Sequence, residues 1–305
     1  MNKQPAYYHA NGKLLLSGEY FVLHGAKALA LPLKRGQWLR VHEVKDSKVL
    51  QWKAIYEEKI WFECELSPVD FTVVKSSDPE KASTLSLLMN TIRDMNPDFH
   101  PGAGTRFETT LDADPEWGFG SSSTLLSVLS QYAEVDAFQH KERMFHGSGF
   151  DIACATADGP ILFTKDQPVQ PVKLHYPFAK QLLLVYSGQK RNTFPEVSAF
   201  LQNDKPPAKL IDEISDLSDQ FTACRDQQTF NQLIRDHETL VGNLLGQTPV
   251  KKRLFDDFEG EVKSLGAWGG DYYLVSCTGP VKASMKYFEN KGLNIIFKWP
   301  ELIKS

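Results

Sequence analysis

The chain has 305 residues, 42% of them hydrophobic and 24% charged, the balance of a globular protein with a large core and about two packing units at ~150 residues each. Its 34 Lys and Arg against 38 Asp and Glu leave a formal charge of -4, without the cationic excess of a protein held to nucleic acid by phosphate contacts. Aliphatic stretches such as residues 182–185 fall far below the ~20 apolar residues that span a bilayer, and Asn2, Lys3 and Gln4 precede no apolar signal core, so a cytoplasmic protein with no membrane partner is expected.

In chain order, residues 37–44, 49–56, 60–65 and 71–74 carry Trp, Val, Tyr and Phe in short runs parted by turn residues, which predicts an antiparallel sheet. At residues 79–95 the spacing becomes helical, with Leu85, Leu88, Met89 and Ile92 three and four apart and Asp78 placed to cap the helix before a first-turn proline. A strand follows at residues 105–111. Apolar positions recur on one helical face at residues 194–201, 208–223, 229–245 and 250–265. Strand-like runs interrupt them at 181–186, 272–276 and 293–297, and a further helix is expected at 281–290. Strands and helices without regular alternation predict an α+β architecture rather than a doubly wound parallel sheet. Prolines punctuate a polar connection at residues 168–177, so two domains are expected, 1–170 and 171–305.

The common nucleotide and hydrolase signatures are missing. Gly12-Lys13 runs into Leu14 without the earlier glycine of a P-loop, no Gly-x-Gly-x-x-Gly follows a strand, and Gly120-Ser121-Ser122-Ser123 meets Thr124 where a nucleophile elbow needs glycine. Cys64, Cys154, Cys224 and Cys277 are scattered, which predicts buried thiols and neither a disulfide framework nor a zinc site. Three stretches stand out. Residues 115–124 form a small-residue loop running straight into a helical stripe of Leu125, Leu126, Leu129 and Tyr132. Its glycines let an anion approach the main chain, and the helix start offers N–H groups; a serine-capped helix after an ordinary loop has the same residues. Residues 12–25 set Lys13 before an apolar strand and Glu19 beyond a glycine turn, a pattern that a hairpin with a solvated lysine shares. Gly147-Ser148-Gly149-Phe150-Asp151 puts an aspartate at the head of an apolar segment, either as a functional carboxylate or as a helix cap.

Together these stretches resemble the GHMP kinase superfamily, the group of galactokinase, homoserine kinase, mevalonate kinase and phosphomevalonate kinase. Residues 12–33 are similar to its first motif, residues 117–124 to its phosphate loop, and Gly266-Ala267-Trp268-Gly269-Gly270-Asp271 to its glycine-rich third motif. The resemblance covers nearly the whole chain and looks most like the mevalonate-pathway branch. Gly18-Glu19-Tyr20, the segment ending in Asp151, and Asp271 are similar to phosphomevalonate kinases, whereas Glu142-Arg143-Met144 with His146-Gly147 is similar to mevalonate kinases. Residues 187–193 resemble the second-domain loop that reaches the substrate.

The resemblance implies two α+β domains, the first like part of ribosomal protein S5 and the second ferredoxin-like, with ATP and acceptor in the cleft between them. It implies that Gly118, Gly120, Ser121, Ser122 and Ser123 cradle the triphosphate of ATP, that Ser122 and Glu142 hold Mg2+, and that Asp151 orients or deprotonates the acceptor hydroxyl. Lys13 would keep Asp151 ionised and touch the transferring phosphoryl. Glu19, Tyr20, Lys190, Thr193, Gly269, Gly270 and Asp271 are the implied acceptor contacts. The acceptor would be a small anionic molecule, mevalonate or phosphomevalonate; a homodimer is left open. This chain also departs from the pattern. The intervals from Ser122 to Glu142 and from Glu142 to Asp151 are shorter than in mevalonate kinases, and Leu265 and Trp268 stand where Ser and Gly are usual. Two alternatives therefore stay open: a diphosphomevalonate decarboxylase-like enzyme, which phosphorylates before losing carbon dioxide, and a catalytically silent relative that binds a nucleotide or metabolite.

Overall fold

The computed structural model describes residues 5–188, 205–266 and 270–305; the helix expected at 194–201 lies outside them. Two compact units emerge. One comprises the chain up to Gly12, Arg35–Pro115 and Phe119–Thr156, the other Lys13–Lys34, Glu116–Gly118 and Ala157–Ser305. Strands β1 (Ala6–Ser17) and β2 (Ala28–Glu43) run to 12 and 16 residues, about two to three times the usual length, and so supply a segment to each unit.

In the N-terminal unit β3 (Leu50–Tyr56), β4 (Lys59–Leu66), β5 (Val73–Ser76) and β6 (Thr105–Leu111) join β2 in the order β5-β4-β3-β6-β2, with β1 paired to β2. The sheet is mixed rather than antiparallel, since β3 and β6 pair in parallel. Two hairpin reversals make β5 run the way of β3, and helix α1 (Pro79–Met95) then returns the chain so that β6 runs that way again. In β6 Thr105, Phe107, Thr109 and Leu111 are buried and alternate with more exposed residues, the period-2 pattern of a sheet with one covered face. Helix α1 begins as expected, with the Asp78 side chain accepting the Lys81 N–H. Its Leu85, Met89 and Ile92 share one core with Trp52, Phe107 and, from α2 (Ser121–Tyr132), Leu126 and Leu129. Helices α3 (Ala137–Met144) and α4 (Phe150–Thr156) pack against α2.

In the C-terminal unit the start of β2 pairs with β7 (Ile161–Phe163), which pairs in turn with β8 (Gln170–Pro171). A separate antiparallel sheet has the order β10-β11-β9-β12, formed by β9 (Leu182–Tyr186), β10 (Glu261–Leu265), β11 (Tyr272–Ser276) and β12 (Ile296–Lys298). Helices α5 (Ala208–Ala223), α6 (Gln227–Leu245), α7 (Val250–Leu254), α8 (Val281–Asn290) and α9 (Trp299–Leu302) complete it. The helix expected over 250–265 stops at Leu254. Phe255 and Phe258 turn into the sheet core, and at Gly260 an added Cβ would lie 2.1 Å from the Ser276 carbonyl oxygen, so the backbone is already pressed against β11 where β10 begins. The four cysteines are buried thiols. Among the described residues no helix is long and apolar enough to cross a membrane.

Candidate active site

The serine loop turns on its glycines. After a 3-10 turn at Pro115–Trp117 the chain passes Gly118 (φ 72°) and Gly120 (φ 86°), left-handed positions that favour glycine, and α2 starts at Ser121. Gly120 is the N-cap, and no side chain caps the helix. The first helical bond runs from Thr124 N to Gly120 O, 3.0 Å, which leaves the Ser121, Ser122 and Ser123 N–H groups at the positive end of the helix dipole. The hydroxyls divide. Ser123 donates to Gly120 O (2.8 Å) and Thr124 to Gln37 Oε1 (2.7 Å), both turned inward, whereas Ser122 is exposed and Ser121 half-buried. Gly12, Gly36, Asp114, Phe119, Ser121 and Thr124 line a small recess in the N-terminal unit, which brings the head of the first motif beside the serine loop.

Asp151 is the second residue of α4, half-buried, entered through Gly147 (φ 147°) and Gly149 (φ 94°). Its Oδ1 accepts the Ile152 N–H at 3.0 Å. Asn11 Nδ2 on β1 donates to Cys154 O of α4 at 3.1 Å in a buried contact, so the first-motif strand is tied to the aspartate's helix. Lys13 lies two residues further along β1, on the same side of the strand by alternation, and is half-buried. Glu142 is exposed on α3. Its neighbour Lys141, which sequence reasoning passed over, is buried, and its ammonium donates to Gly147 O at the turn before Asp151. The available signal was its helical spacing from Ala137 and Met144, both packed on the core.

In the C-terminal unit the third motif meets the entrance to the serine loop. A Cβ on Gly118 would lie 2.5 Å from Asp271 Oδ2, and Asp271 is buried. Gly270 (φ 49°) is also close-packed, with Tyr272 O 2.6 Å from an added Cβ. Gly269, Lys190 and Thr193 lie outside the described residues, as do Ala267 and Trp268.

Glu19 and Tyr20 are interior, at 4% and 8% exposure. Glu19 Oε1 accepts from Lys263 Nζ of β10 at 2.5 Å, and its Oε2 lies 3.0 Å from His237 Nε2 of α6. Contact with a carboxylate is charge-assisted, so the ring proton belongs on Nε2 facing Glu19; the Gly18 N–H, 3.3 Å from the same nitrogen, is the weaker competitor. Lys263 also donates to Ser264 O (2.9 Å), and Glu238 accepts from Ser264 N (3.1 Å) and Val250 N (3.3 Å). Burial raises the Glu19 pKa, but Lys263 and His237 outweigh it and hold the carboxyl below its ordinary range. Burial and Lys263 together hold His237 low, against the pull of Glu19. Burial pushes Glu238 up to about 7, against the pull of Lys263. No motif announces this cluster, because Lys263 reads as an ordinary strand residue and His237 as an ordinary helical one.

No protein-family model matches the sequence, and no curated protein matches it. Solved structures do. Mevalonate kinase of Methanococcus jannaschii is 18% identical, with 96% of each chain covered and a TM-score of 0.71. Phosphomevalonate kinase of Streptococcus pneumoniae, in complex with phosphomevalonate and AMPPNP, is 16% identical over 96% of this chain and 99% of that one, TM-score 0.71. Galactokinase of Lactococcus lactis, complexed with galactose, is 12% identical over 99% and 94%, TM-score 0.66.

Proposed function

We propose that this chain, which has the GHMP kinase fold, is an ATP- and Mg2+-dependent kinase that phosphorylates a small anionic hydroxy acid or its phosphate, with mevalonate and phosphomevalonate the favoured acceptors. One observation carries the reading. The uncapped start of α2, entered through two left-handed glycines, belongs to the same N-terminal unit as Asp151, whose helix is bound to the first-motif strand through Asn11. Backbone N–H groups at a helix start bind phosphate without a side-chain cation, and phosphoryl transfer needs chiefly positioning and charge stabilisation.

In the reaction the acceptor oxygen bonds to the γ-phosphorus, the bond from that phosphorus to ADP breaks, and the acceptor proton passes to the Asp151 carboxylate and on to solvent. Lys13 is the cation proposed to stabilise the charge on the moving phosphoryl. Exposed Ser122 and Glu142 offer hard oxygen donors. That donor set fits Mg2+, which binds through one or two protein oxygens together with phosphates and water. When bound, the ion neutralises phosphate charge; Ser122 and Glu142 would hold it. The acceptor preference is supported by the phosphomevalonate complex among the similar structures.

The test is ADP release, with carbon dioxide followed in parallel, over mevalonate, phosphomevalonate, homoserine and simple sugars. ADP with a hydroxy acid and no carbon dioxide is the expected result. Carbon dioxide release would make the chain a decarboxylase, and ligand-induced stabilisation without turnover on any acceptor would make it a silent binder.

A further inference from the structure

Four ionisable side chains of the C-terminal unit, Glu19, His237, Glu238 and Lys263, are each no more than 4% exposed. They join three elements: the turn after β1, helix α6 and strand β10. Burying charge is costly, and attraction repays the lost hydration only where geometry is good; apolar residues of similar volume often stabilise as well or better. Stability alone therefore does not account for such a cluster. What it grips is a strained turn. Gly18 has φ 91°, and an added Cβ there would lie 2.6 Å from the Ala28 Cβ. Tyr20, which is not glycine, has φ 62° and ψ -45°. Such conformations persist where the surroundings over-determine them and gather at functional sites.

We infer that Lys263 and His237 are positioning residues which, through Glu19, hold the turn of Gly18, Glu19 and Tyr20 in the geometry in which it serves the acceptor site; the inference rests on the kinase reading. Glu19 thus faces protein cations instead of the acceptor, which revises its expected role as a ligand. Glu238 completes the frame by holding the Ser264 and Val250 N–H groups to α6.

Hydrogen exchange of the full-length protein without ligands reads the turn directly, through Val22 N bonded to Gly18 O (2.9 Å) and Leu23 N bonded to Tyr20 O (3.0 Å). Glu19→Gln, and the double variant Glu19→Gln with Lys263→Met, which removes both charges at once, should raise exchange at Val22 and Leu23 about tenfold while α1 is unchanged. His237→Gln, which keeps a donor within reach of Glu19, should retain protection that His237→Leu loses. In the same Glu19 variants acceptor KM should rise about tenfold with kcat within about threefold. Unchanged exchange in both Glu19 variants overturns the clamp whatever the activity, and raised exchange with an unmoved acceptor KM overturns its role at the acceptor. A wild-type protein that forms no ADP with any acceptor defeats the kinase reading, and the exchange experiment still decides whether the cluster holds the turn.

Discussion

The head of α2 and the turn after β1 both place glycine in left-handed backbone, yet they are held by opposite means. At α2 the fixing groups are backbone and neutral hydroxyls, with Ser123 and Thr124 bonded inward and no side chain capping the helix. At the β1 turn the fixing groups are ionisable side chains sealed from water. A row of N–H groups needs no counter-ion while empty and gains when an anion arrives, since its dipoles are already oriented. The Glu19–Lys263 pair is neutralised within itself and has no charge to offer a ligand. On the kinase reading one region receives charge, whereas the other keeps its shape by cancelling charge internally.

The largest effect tests the receiving region. Asp151→Asn should lower kcat about 10³-fold, within the range for loss of a general base, with nucleotide affinity within about threefold. Steady-state kinetics beside nucleotide titration measure both. If nucleotide binding falls with kcat, the bond from Ile152 N to Asp151 Oδ1 is the residue's main work, and Asp151 is a helix cap.

The shape-keeping region should fail in proportion to the charge left unpaired. Lys263→Met strands ionised Glu19 in the interior and should cost about 3–5 kcal/mol, as broken buried pairs do. Adding Glu19→Gln removes the stranded charge and should return most of that loss. Denaturant midpoints give both values, and a double variant no more stable than Lys263→Met alone would mean that packing, not charge, is what Lys263 supplies.

The contrast also explains what could be read in the sequence. Helix α1, strand β11 and helix α8 fall where periodicity places them, because their apolar spacing and, for α1, the Asp78 cap are local signals. The stop of α7 at Leu254 was hidden: residues 255–265 keep apolar residues at helical spacing, and only the press of Gly260 against Ser276 shows that a strand follows. The parallel pairing of β3 with β6 was hidden too, since topology leaves no trace in alternation. At the site, glycines and serines were legible because left-handed turns and helix starts constrain residue type. Lys141, His237 and Lys263 were not, because the partners that make them notable lie far away in sequence or on the backbone.

Two buried groups, one in each unit, should respond to pH with opposite sign. Burial pushes His140, fully buried beside Ser130 Oγ (2.8 Å), down to about 4. Being depressed, it supports stability above its ordinary 6.5, support that is lost as pH falls toward 4. Glu238 at about 7, raised from an ordinary 4.5, supports stability below 4.5, support that is lost as pH rises through 7. Each window is worth about 3 kcal/mol, and between them the two slopes largely cancel. Relative to the parent protein, His140→Gln should tilt stability downward from pH 5 to pH 7 and Glu238→Gln should tilt it upward, the contribution of His237, also held low, being common to both; both are read from denaturant midpoints. Parallel profiles for the two variants would show that these groups do not set the pH response.

The smallest expected effect lies at Gly118, where the serine loop begins. Gly118→Ala must keep φ at 72°, which costs about 1–2 kcal/mol for a residue with a Cβ, and must push aside the Asp271 carboxylate 2.5 Å away. Gly246→Ala is the control, since Gly246 has φ 63° and nothing within 4 Å of an added Cβ. The torsional cost is common to both, so the excess at Gly118 measures its packing against Asp271, whose Cβ as well as carboxylate lies within 2.9 Å of the added Cβ; Gly118→Ala made in an Asp271→Gly background should therefore lose that excess and leave the torsional part. Nucleotide affinity separates the regions a last time. Gly118→Ala should weaken it several-fold by shifting the N–H groups that follow, whereas Gly246→Ala, at the end of α6, should leave it unchanged. Equal effects from the two substitutions would mean that the loop's left-handed entry matters only for folding and not for receiving phosphate.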